Sequence, residues 1–318
     1  MITVLAGGVG AARFLRGLLH VVAPTDVTAI VNTGDDTVLH GLAISPDLDT
    51  VVYTLAEAID PERGWGLVDE SWRAMGALAR YQPVRPAGST AGGTWFNLGD
   101  QDLATHMYRT ARRAEGGSAT AVAGEIARAW GLELKVLPMS DEPVATIVDV
   151  IGEGEVSFQE YFVGRHHSVA VQGIRFEGVD RARPAPGVLD ALTDADSVVI
   201  APSNPLVSIG PIRALAGVDA ALACRRESVA AISPIVAGSA LKGPADRMLV
   251  ELGHEASVVG VARLYAPICA TLVIDHADAD LADACEAEGV RCIVTDTIMH
   301  NASVSAALAS TTLRATGR

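Results

Sequence analysis

Short, largely apolar runs that end in polar or glycine-containing turns are the feature that most constrains this chain. Each run has four or five residues and lacks the alternation of polar and apolar positions found in strands with one solvent-facing side. Runs of this kind are typical of parallel strands covered on both faces of a sheet. They occupy residues 2–6, 27–31, 197–201, 229–232, 270–274 and 291–294.

Segments with apolar residues at helical spacing separate these runs, and the alternation predicts an α/β fold. We expect a doubly wound, mostly parallel, Rossmann-like sheet within a single domain over residues 1–318. A smaller α/β subdomain is predicted as an insertion at about 60–190. We expect it to contain a helix over about 69–80 and an antiparallel hairpin with strands at 144–151 and 156–162.

Composition and charge narrow the classes of function. Hydrophobic residues make up 49% of the chain and charged residues 19%, which is typical of a globular protein. The formal charge of −14 argues against binding to nucleic acid or to an anionic membrane, because the long-range field repels phosphate. A phosphorylated substrate would then need local help from a metal ion or from a loop of backbone N–H groups.

The cysteines and the N-terminal segment indicate a cytoplasmic protein. Arg13 and Arg16 interrupt the apolar N-terminus, which favours a strand and a helix over a signal peptide. No uninterrupted apolar stretch approaches the roughly 20 residues needed to cross a bilayer. The four cysteines lack C-x-x-C spacing, which is typical of thiols in a reducing compartment; they are Cys224, Cys269, Cys285 and Cys292.

Four carboxylates fall within fifteen residues after the second apolar run: Asp35, Asp36, Asp47 and Asp49. A soluble domain rarely places so many acids beside its core unless they hold a cation or a polar ligand. Asn32 and Thr33 precede them at the carboxyl end of a predicted strand, where ligands gather in open parallel sheets. We therefore predict a ligand site here, although single aspartates also cap helices and initiate turns.

Two other loops follow predicted strands. Gly8 and Gly10 lie between a strand and a helix, an arrangement that directs helix N–H groups toward a phosphate. Arg13 stands where the third glycine of the dinucleotide fingerprint would fall, so a purely structural turn stays open, although its charge favours an anion. The loop after residues 197–201 carries the hydroxyl and amide groups of Ser203, Asn204 and Ser208. We predict that this loop binds a nucleotide or phosphate, and the alternative is that it only caps a helix.

Longer motifs carry a family resemblance. They are G-G-V-G at 7–10, N-T-G-D-D at 32–36, S-P-D-L-D-T at 45–50, L-G-D-Q-D-L-A-T-H at 98–106, L-P-M-S-D-E-P at 137–143 and A-P-S-N-P-L-V-S-I-G-P-I at 201–212. Through these segments the chain resembles the 2-phospho-L-lactate transferases of deazaflavin coenzyme biosynthesis. The resemblance fades after about residue 266, and its most specific motifs are those at 45–50 and 202–211.

The resemblance implies a transferase in the biosynthesis of coenzyme F420. Such enzymes move a phospholactyl or phosphoenolpyruvyl group from a guanosine diphosphate-activated donor to the ribityl hydroxyl of the deazaflavin Fo, with release of GMP and dependence on Mg²⁺. It also implies small-molecule substrates, no nucleic-acid or membrane partner, and a homodimer. Whether the donor carries phospholactate, phosphoenolpyruvate or phosphoglycerate stays open, as does the identity of a general base.

The same resemblance assigns roles to individual residues. Asp35, Asp36 and Asp47 are expected to hold Mg²⁺, and Asp35, Asp47 and Asp49 form the expected catalytic set. Asp49 and Asn97 match positions that contact Fo, although relatives often carry lysine where this chain has Asn97. Asp49 could orient or deprotonate the ribityl hydroxyl. The guanosine diphosphate part is expected to contact Gly8, Gly10, Arg13, Asn32, Thr33, Ser203, Asn204 and Ser208.

Several alternatives stay open at this level. A nucleotide-sugar-binding regulator of the gluconeogenesis-factor type shares the glycine loop and an N-T-x-D-D segment, but is not expected to carry S-P-D-L-D-T. A nicotinamide oxidoreductase is disfavoured by the missing third glycine. The loop at 85–94 is predicted to be a solvated linker or a mobile lid. Asp102 and His106, one helical turn apart, are interpreted as a structural pair.

Overall fold

A computed structural model describes residues 1–317 and shows a parallel sheet with helices on both faces. The strands are β1 (Ile2–Ala6), β2 (Val27–Val31), β3 (Thr37–Leu39), β4 (Leu42–Ile44), β5 (Lys135–Pro138), β6 (Ala145–Val150), β7 (Gly154–Ser157), β8 (Val171–Glu177), β9 (Ser197–Ile200), β10 (Val229–Ile232), β11 (Ile235–Val236), β12 (Ser239–Ala240), β13 (Thr271–Ile274) and β14 (Arg291–Val294).

The helices connect the strands and pack on the two faces of the sheet. They are α1 (Val9–Leu18), α2 (Pro46–Leu55), α3 (Arg73–Leu78), α4 (Asp100–Ala114), α5 (Ala119–Ala129), α6 (Val188–Asp194), α7 (Gly210–Ala214), α8 (Val218–Cys224), α9 (Ala245–Glu251), α10 (Val258–Tyr265), α11 (Ala282–Ala287) and α12 (Ala302–Ala315).

The main sheet has seven parallel strands in the order β14-β13-β10-β9-β1-β2-β5. The chain builds outward from β1 through β2 to β5, then returns to the other side of β1 and continues from β9 to β14. This confirms the predicted doubly wound, Rossmann-like fold. The strand order reverses between β1 and β9, and such a reversal opens a crevice beyond the carboxyl ends of the two strands.

Neighbouring residues of each strand enter opposite halves of the core. Leu5 belongs to the cluster that packs against α6, α8 and α10, whereas Val4 belongs to the cluster that packs against α1 and α12. Both side chains are fully buried, as the period of two along a strand requires when both faces are covered. The unbroken apolar runs of the sequence therefore correspond to strands between two helical layers.

The segment 60–190 departs in part from its predicted structure. It contains α3, α4 and α5 and a three-stranded antiparallel sheet in the order β7-β6-β8, but it also supplies β5 to the main sheet. The strand predicted over 156–162 is wrong beyond Ser157, because residues 160–164 form a single π-helical turn. Phe158 and Tyr161 both enter a core cluster with Met248, and their spacing of three suits a helical turn and not a strand.

Two smaller features of this segment follow from the backbone. The helix predicted over 69–80 begins only at Arg73, because Asp69 has a left-handed φ of 58° that an α-helix does not accommodate. Residues 85–94 contain no helix or strand, in accordance with the predicted loop.

Within residues 1–317, no helix is both long enough and apolar enough to cross a membrane.

Helices α1 and α12 approach closely at Gly17, which yields a test of the packing. A Cβ added to Gly17 would lie 2.4 Å from the backbone of Ser305, so Gly17→Ala forces the helices apart. We expect a loss of about 1–3 kcal/mol in the free energy of unfolding, measured by denaturant titration. Gly76→Ala in α3 is the matched control, since nothing lies within 4 Å of the added atom, and we expect no loss. Equal stability of the two variants would contradict this packing.

Candidate functional site

The reversal of strand order places two of the predicted ligand loops against each other. The N–H of Gly7, after β1, donates to Ser203 Oγ, after β9, over 3.2 Å. A Cβ added to Gly10 would lie 2.1 Å from the carbonyl oxygen of Pro202, and one added to Gly7 would lie 2.6 Å from Ser208 Cβ. Only glycine permits such close contact, so these glycines join the β1 and β9 loops into one cradle at the N-terminus of α1.

A small hairpin, which the sequence analysis missed, brings the two pairs of acids together. Strands β3 and β4 pair Thr37 with Ile44 and turn at His40 and Gly41, both of which have positive φ. The register places Asp36, just before β3, opposite Ser45, just after β4, and Ser45 Oγ donates to Asp36 Oδ2 over 2.8 Å. The hairpin thus returns the chain from the carboxyl end of β2 to the N-terminus of α2.

Asp47 links the acid cluster to the glycine cradle. Its Oδ2 accepts a hydrogen bond of 3.0 Å from Asn32 Nδ2, and Asn32 Oδ1 accepts one of 2.8 Å from the N–H of Gly34. On the other side, Asp47 Oδ1 lies 2.7 Å from where a Cβ of Gly8 would stand. A carboxylate oxygen of Asp47 therefore faces the loop predicted to hold phosphate.

Enclosure raises the pKa of every carboxyl in this cluster. Asp35 is 6% exposed, and burial together with the charges of Asp47 and Asp36 raises its pKa well above the usual range. Asp36 opens toward a cavity, yet the protein around it raises its pKa to about 8. Burial raises the pKa of Asp47 to about 6, partly offset by the hydrogen bond from Asn32. Carboxylates in such surroundings favour either a proton or a cation.

The chemistry of Asp35, Asp36 and Asp47 fits a hard divalent cation. Carboxylate oxygens are the ligands that Mg²⁺ prefers, and Asp35 Oδ1 is buried without a hydrogen-bond partner. Their ligand atoms do not form a group within 4.8 Å of one another, a spacing compatible with a cation that keeps several water ligands. Within residues 1–317, the only His, Cys, Asp or Glu triple within that distance is Asp49, Asp102 and His106.

Asp49 has a different environment, which the sequence analysis did not foresee. Its carboxylate forms a bidentate ion pair with Arg109 on α4, in which Arg109 Nη1 lies 3.1 Å from Asp49 Oδ2 and Nη2 contacts Oδ1. Burial raises the pKa of Asp49, and the charge of Arg109 opposes this rise. Arg109 Nη1 also lies 3.1 Å from His106 Nδ1.

The structural pair predicted at Asp102 and His106 belongs to this same network. His106 Nε2 lies 3.2 Å from Asp102 Oδ2, and Tyr53 OH donates to Asp102 Oδ1 over 2.8 Å. Asp102, His106 and Arg109 occupy positions i, i+4 and i+7 of α4 and share one helical face. This spacing is visible in the sequence and could have grouped Arg109 with Asp102 and His106. It does not show that this face of α4 meets Asp49.

A cavity of about 340 Å³ opens beside the acid cluster. Asp36, Asp49 and Arg109 form its charged wall, next to Thr33 and Ser45. The opposite walls are mainly apolar and come from α2, α5 and the residues before β6; they include Leu48, Val52, Val122, Ile126 and Val144. Such a cavity suits a ligand with one polar end and a flat or apolar body.

Three further residues were predicted for the site: Arg13, Asn204 and Asn97. Arg13 is half-buried on α1, and no ion pair of Arg13 occurs among residues 1–317. Asn204 Oδ1 accepts from the N–H groups of Leu206 and Val207, so this amide stabilises its own loop. Asn97 is exposed just before α4 and does not line the cavity, and its contact with Fo stays a prediction.

The fold and site define a class of protein: a Rossmann-like enzyme with an acid cluster beside a glycine-lined cradle at the switch point of its sheet. Residues 2–312 match the model of the 2-phospho-L-lactate transferase CofD family, and the chain belongs to that family. This confirms the resemblance seen in the motifs. The protein is therefore a transferase of the kind that acts in coenzyme F420 biosynthesis.

Curated relatives extend over nearly the whole chain. The phosphoenolpyruvate transferase of Kitasatospora aureofaciens is 42% identical over 317 residues, covering 98% of this chain and 96% of that protein. The phosphoenolpyruvate transferase of Streptomyces griseus subsp. griseus is 42% identical over 312 residues, covering 97% and 96%. Among solved structures, a UPF0052 family member from Bacillus halodurans matches with a TM-score of 0.60 and 17% identity over 98% of each chain, which supports the fold alone.

The raised pKa values predict how stability depends on pH when divalent cations are removed. The folded protein holds protons on these carboxyls above their ordinary pKa of 3.8, where the unfolded chain has lost them. The contribution of these carboxyls to stability is therefore complete below that value and is lost as pH rises, through about 6 for Asp47 and about 8 for Asp36. Each group contributes a slope of at most about 1.4 kcal/mol per pH unit.

Denaturant titrations in a chelator from pH 5 to pH 8 measure this fall. Asp35→Asn should flatten the curve, since it removes one buried titrating group, whereas Asp280→Asn at an exposed position should leave it unchanged. Excess Mg²⁺ should also flatten it, because a cation stabilises the ionised carboxylates. Stability that rises over this interval in the chelator would contradict the enclosure of the cluster.

Proposed function

We propose that this protein transfers a phospholactyl or phosphoenolpyruvyl group from a guanosine diphosphate-activated donor to the ribityl hydroxyl of Fo, with release of GMP and with Mg²⁺ bound by Asp35, Asp36 and Asp47. The observation that carries the proposal is the position of the acid cluster between a phosphate cradle and a cavity. The family match over residues 2–312 supports this reaction over the nucleotide-sugar-binding regulator. The names of the curated relatives support phosphoenolpyruvate as the group carried.

The cradle is suited to the donor. Backbone N–H groups at the start of α1 supply positive dipole without net charge, which an acidic protein needs in order to hold a diphosphate. Ser203 and Ser208 lie against Gly7 and close the far side of this loop. Asp47 faces Gly8 from the acid cluster, so a cation held by Asp47 would adjoin the donor phosphates.

The cavity is suited to the acceptor. Its apolar walls can enclose a flat heterocycle, and its charged wall at Asp36 and Asp49 can receive a hydroxyl-bearing chain. In the proposed reaction the hydroxyl oxygen forms a bond to the phosphorus that bears the lactyl or enolpyruvyl oxygen. The bond from that phosphorus to the GMP oxygen breaks, and the hydroxyl proton leaves to a carboxylate or to solvent.

The residues of the cluster serve this displacement by position and charge. Displacement at phosphorus requires the attacking and leaving oxygens to lie in line and the charge on the phosphoryl oxygens to be neutralised. Bound Mg²⁺ supplies that neutralising charge. Asp47 and Asn32, joined by a hydrogen bond of 3.0 Å, hold the cation side of the site against the cradle.

The direct test incubates the protein with Fo, Mg²⁺ and each candidate donor, those of phospholactate, phosphoenolpyruvate and phosphoglycerate, and identifies the product by mass. We expect one donor to yield the Fo adduct together with GMP. Size-exclusion chromatography of the same sample tests the homodimer, which stays a prediction. Release of GMP without any Fo adduct would contradict Fo as the acceptor.

Asp47→Asn tests the assignment of the metal. The substitution keeps an acceptor for Asn32 Nδ2 but removes the charge, so we expect transfer to fall about 100-fold or more and magnesium affinity to weaken. Glu57→Gln, at an exposed position just after α2, is the control and should retain activity. Magnesium titration followed by activity and by thermal shift measures both effects. Unchanged magnesium dependence in Asp47→Asn would remove Asp47 from the metal site.

A further inference from the structure

The four acids of the cluster divide into two groups by their partners. Asp35, Asp36 and Asp47 receive hydrogen bonds only from neutral groups, whereas Asp49 receives two from the guanidinium of Arg109. One divalent cation neutralises two of the four negative charges, and Arg109 neutralises a third. The hydrogen bonds therefore pair Asp49 with Arg109 and leave the other three acids for the cation, with one negative charge in excess.

Burial makes the ion pair rigid. The side chains of Asp49 and Arg109 are each 7% exposed, and both line the cavity. A buried pair with bidentate geometry excludes other rotamers, because breaking it would leave an uncompensated charge inside the protein. Asp49 consequently presents its carboxylate to the cavity in one orientation.

Besides Asp49, two further acceptors hold Arg109. Its Nη1 lies 3.3 Å from the carbonyl oxygen of Ala43, on β4, and 3.1 Å from His106 Nδ1. Since a guanidinium only donates, His106 Nδ1 is the acceptor in this contact. On its other side, His106 Nε2 lies 3.2 Å from Asp102 Oδ2 without a hydrogen bond to it, and Asp102 Oδ1 accepts a hydrogen bond from Tyr53 OH.

This arrangement limits what Asp49 can do. Each oxygen of Asp49 accepts a hydrogen bond from the guanidinium of Arg109, so a proton placed on Asp49 would disrupt a buried, charge-assisted ion pair. Each oxygen has a second lone pair and can still accept a hydrogen bond from a hydroxyl group. Orientation of the hydroxyl is therefore the role that the geometry favours over its deprotonation.

We propose that Arg109, held by His106 and the carbonyl oxygen of Ala43, is a positioning residue that fixes Asp49 as the hydrogen-bond acceptor for the attacking hydroxyl of the acceptor substrate. This inference rests on the proposed function, since it takes the cavity as the acceptor site. It assigns Arg109 no contact with the donor. Arg109 also lines the cavity, so a double-mutant cycle with Asp49 is needed to separate its effect through Asp49 from direct contact with the acceptor.

Substitution of Arg109 tests whether this residue acts on the acceptor and not on the donor. In Arg109→Met we expect the Fo-dependent kcat/KM to fall about 100-fold, because a misplaced positioning group costs that much, while the KM for the donor changes less than about twofold. Arg109→Lys keeps one charged donor and should recover part of the loss. Arg112→Met is the matched control on the same helix, since Arg112 pairs with Glu115 and Glu125 outside the cavity, and it should retain activity.

A double-mutant cycle tests whether Arg109 acts through Asp49. If it does, Asp49→Asn combined with Arg109→Met should be no worse than Asp49→Asn alone. Losses that multiply, or a donor KM that rises in step with the Fo KM, would overturn the proposal. Should Arg109→Met fail to fold in thermal melts, Arg109→Lys and His106→Gln take its place in the cycle with Asp49→Asn, under the same criteria.

Wild-type measurements separate this inference from the proposed function. Fluorescence titration of Fo against the wild-type protein without donor, and product formation with donor, establish Fo as the acceptor. If neither is seen, the proposed function fails and the inference fails with it. If both are seen and Arg109→Met matches the wild type in each, only the inference fails.

Discussion

Repulsion among enclosed carboxylates is the constraint around which the site is arranged. Asp35, Asp36, Asp47 and Asp49 converge where solvent cannot fully screen them, and burial raises the pKa of each. Each nearby polar group can be understood as a response: Asn32 and Ser45 donate neutral hydrogen bonds, and Arg109 supplies a full charge. Of the three negative charges that remain, a divalent cation would neutralise two.

The fold concentrates these groups by two independent devices. Parallel strands bring the loops after β1, β2 and β9 to one edge, and the reversal of strand order leaves a crevice there. The β3–β4 hairpin then turns the chain so that the first turn of α2 faces the end of β2. The sheet alone would place Asp35 and Asp36 at the crevice; the hairpin adds Asp47 and Asp49.

The division of the acids matches the two halves of the proposed reaction. Asp47 faces the glycine cradle, on the donor side, while Asp49 and Arg109 face the cavity, on the acceptor side. A negatively charged protein can thus bind a diphosphate through backbone dipoles and a cation, without a broad positive surface that would attract other polyanions. The mainly apolar cavity beside it would select the acceptor by shape.

Short apolar runs and the turns after them were enough to predict six of the seven parallel strands and the loops at Gly8, Asp35 and Ser203, because strand burial and polarity are local properties. Local pattern failed where tertiary packing decided the backbone: residues 160–164 form a π-helical turn, which lets Tyr161 enter the same core cluster as Phe158. It also could not show that Arg109 reaches Asp49, sixty positions away in the chain. The amino-acid order thus determined the strands and the acids they carry, whereas only the folded chain decided which charges became partners, since electrostatic pairing depends on distances that packing sets.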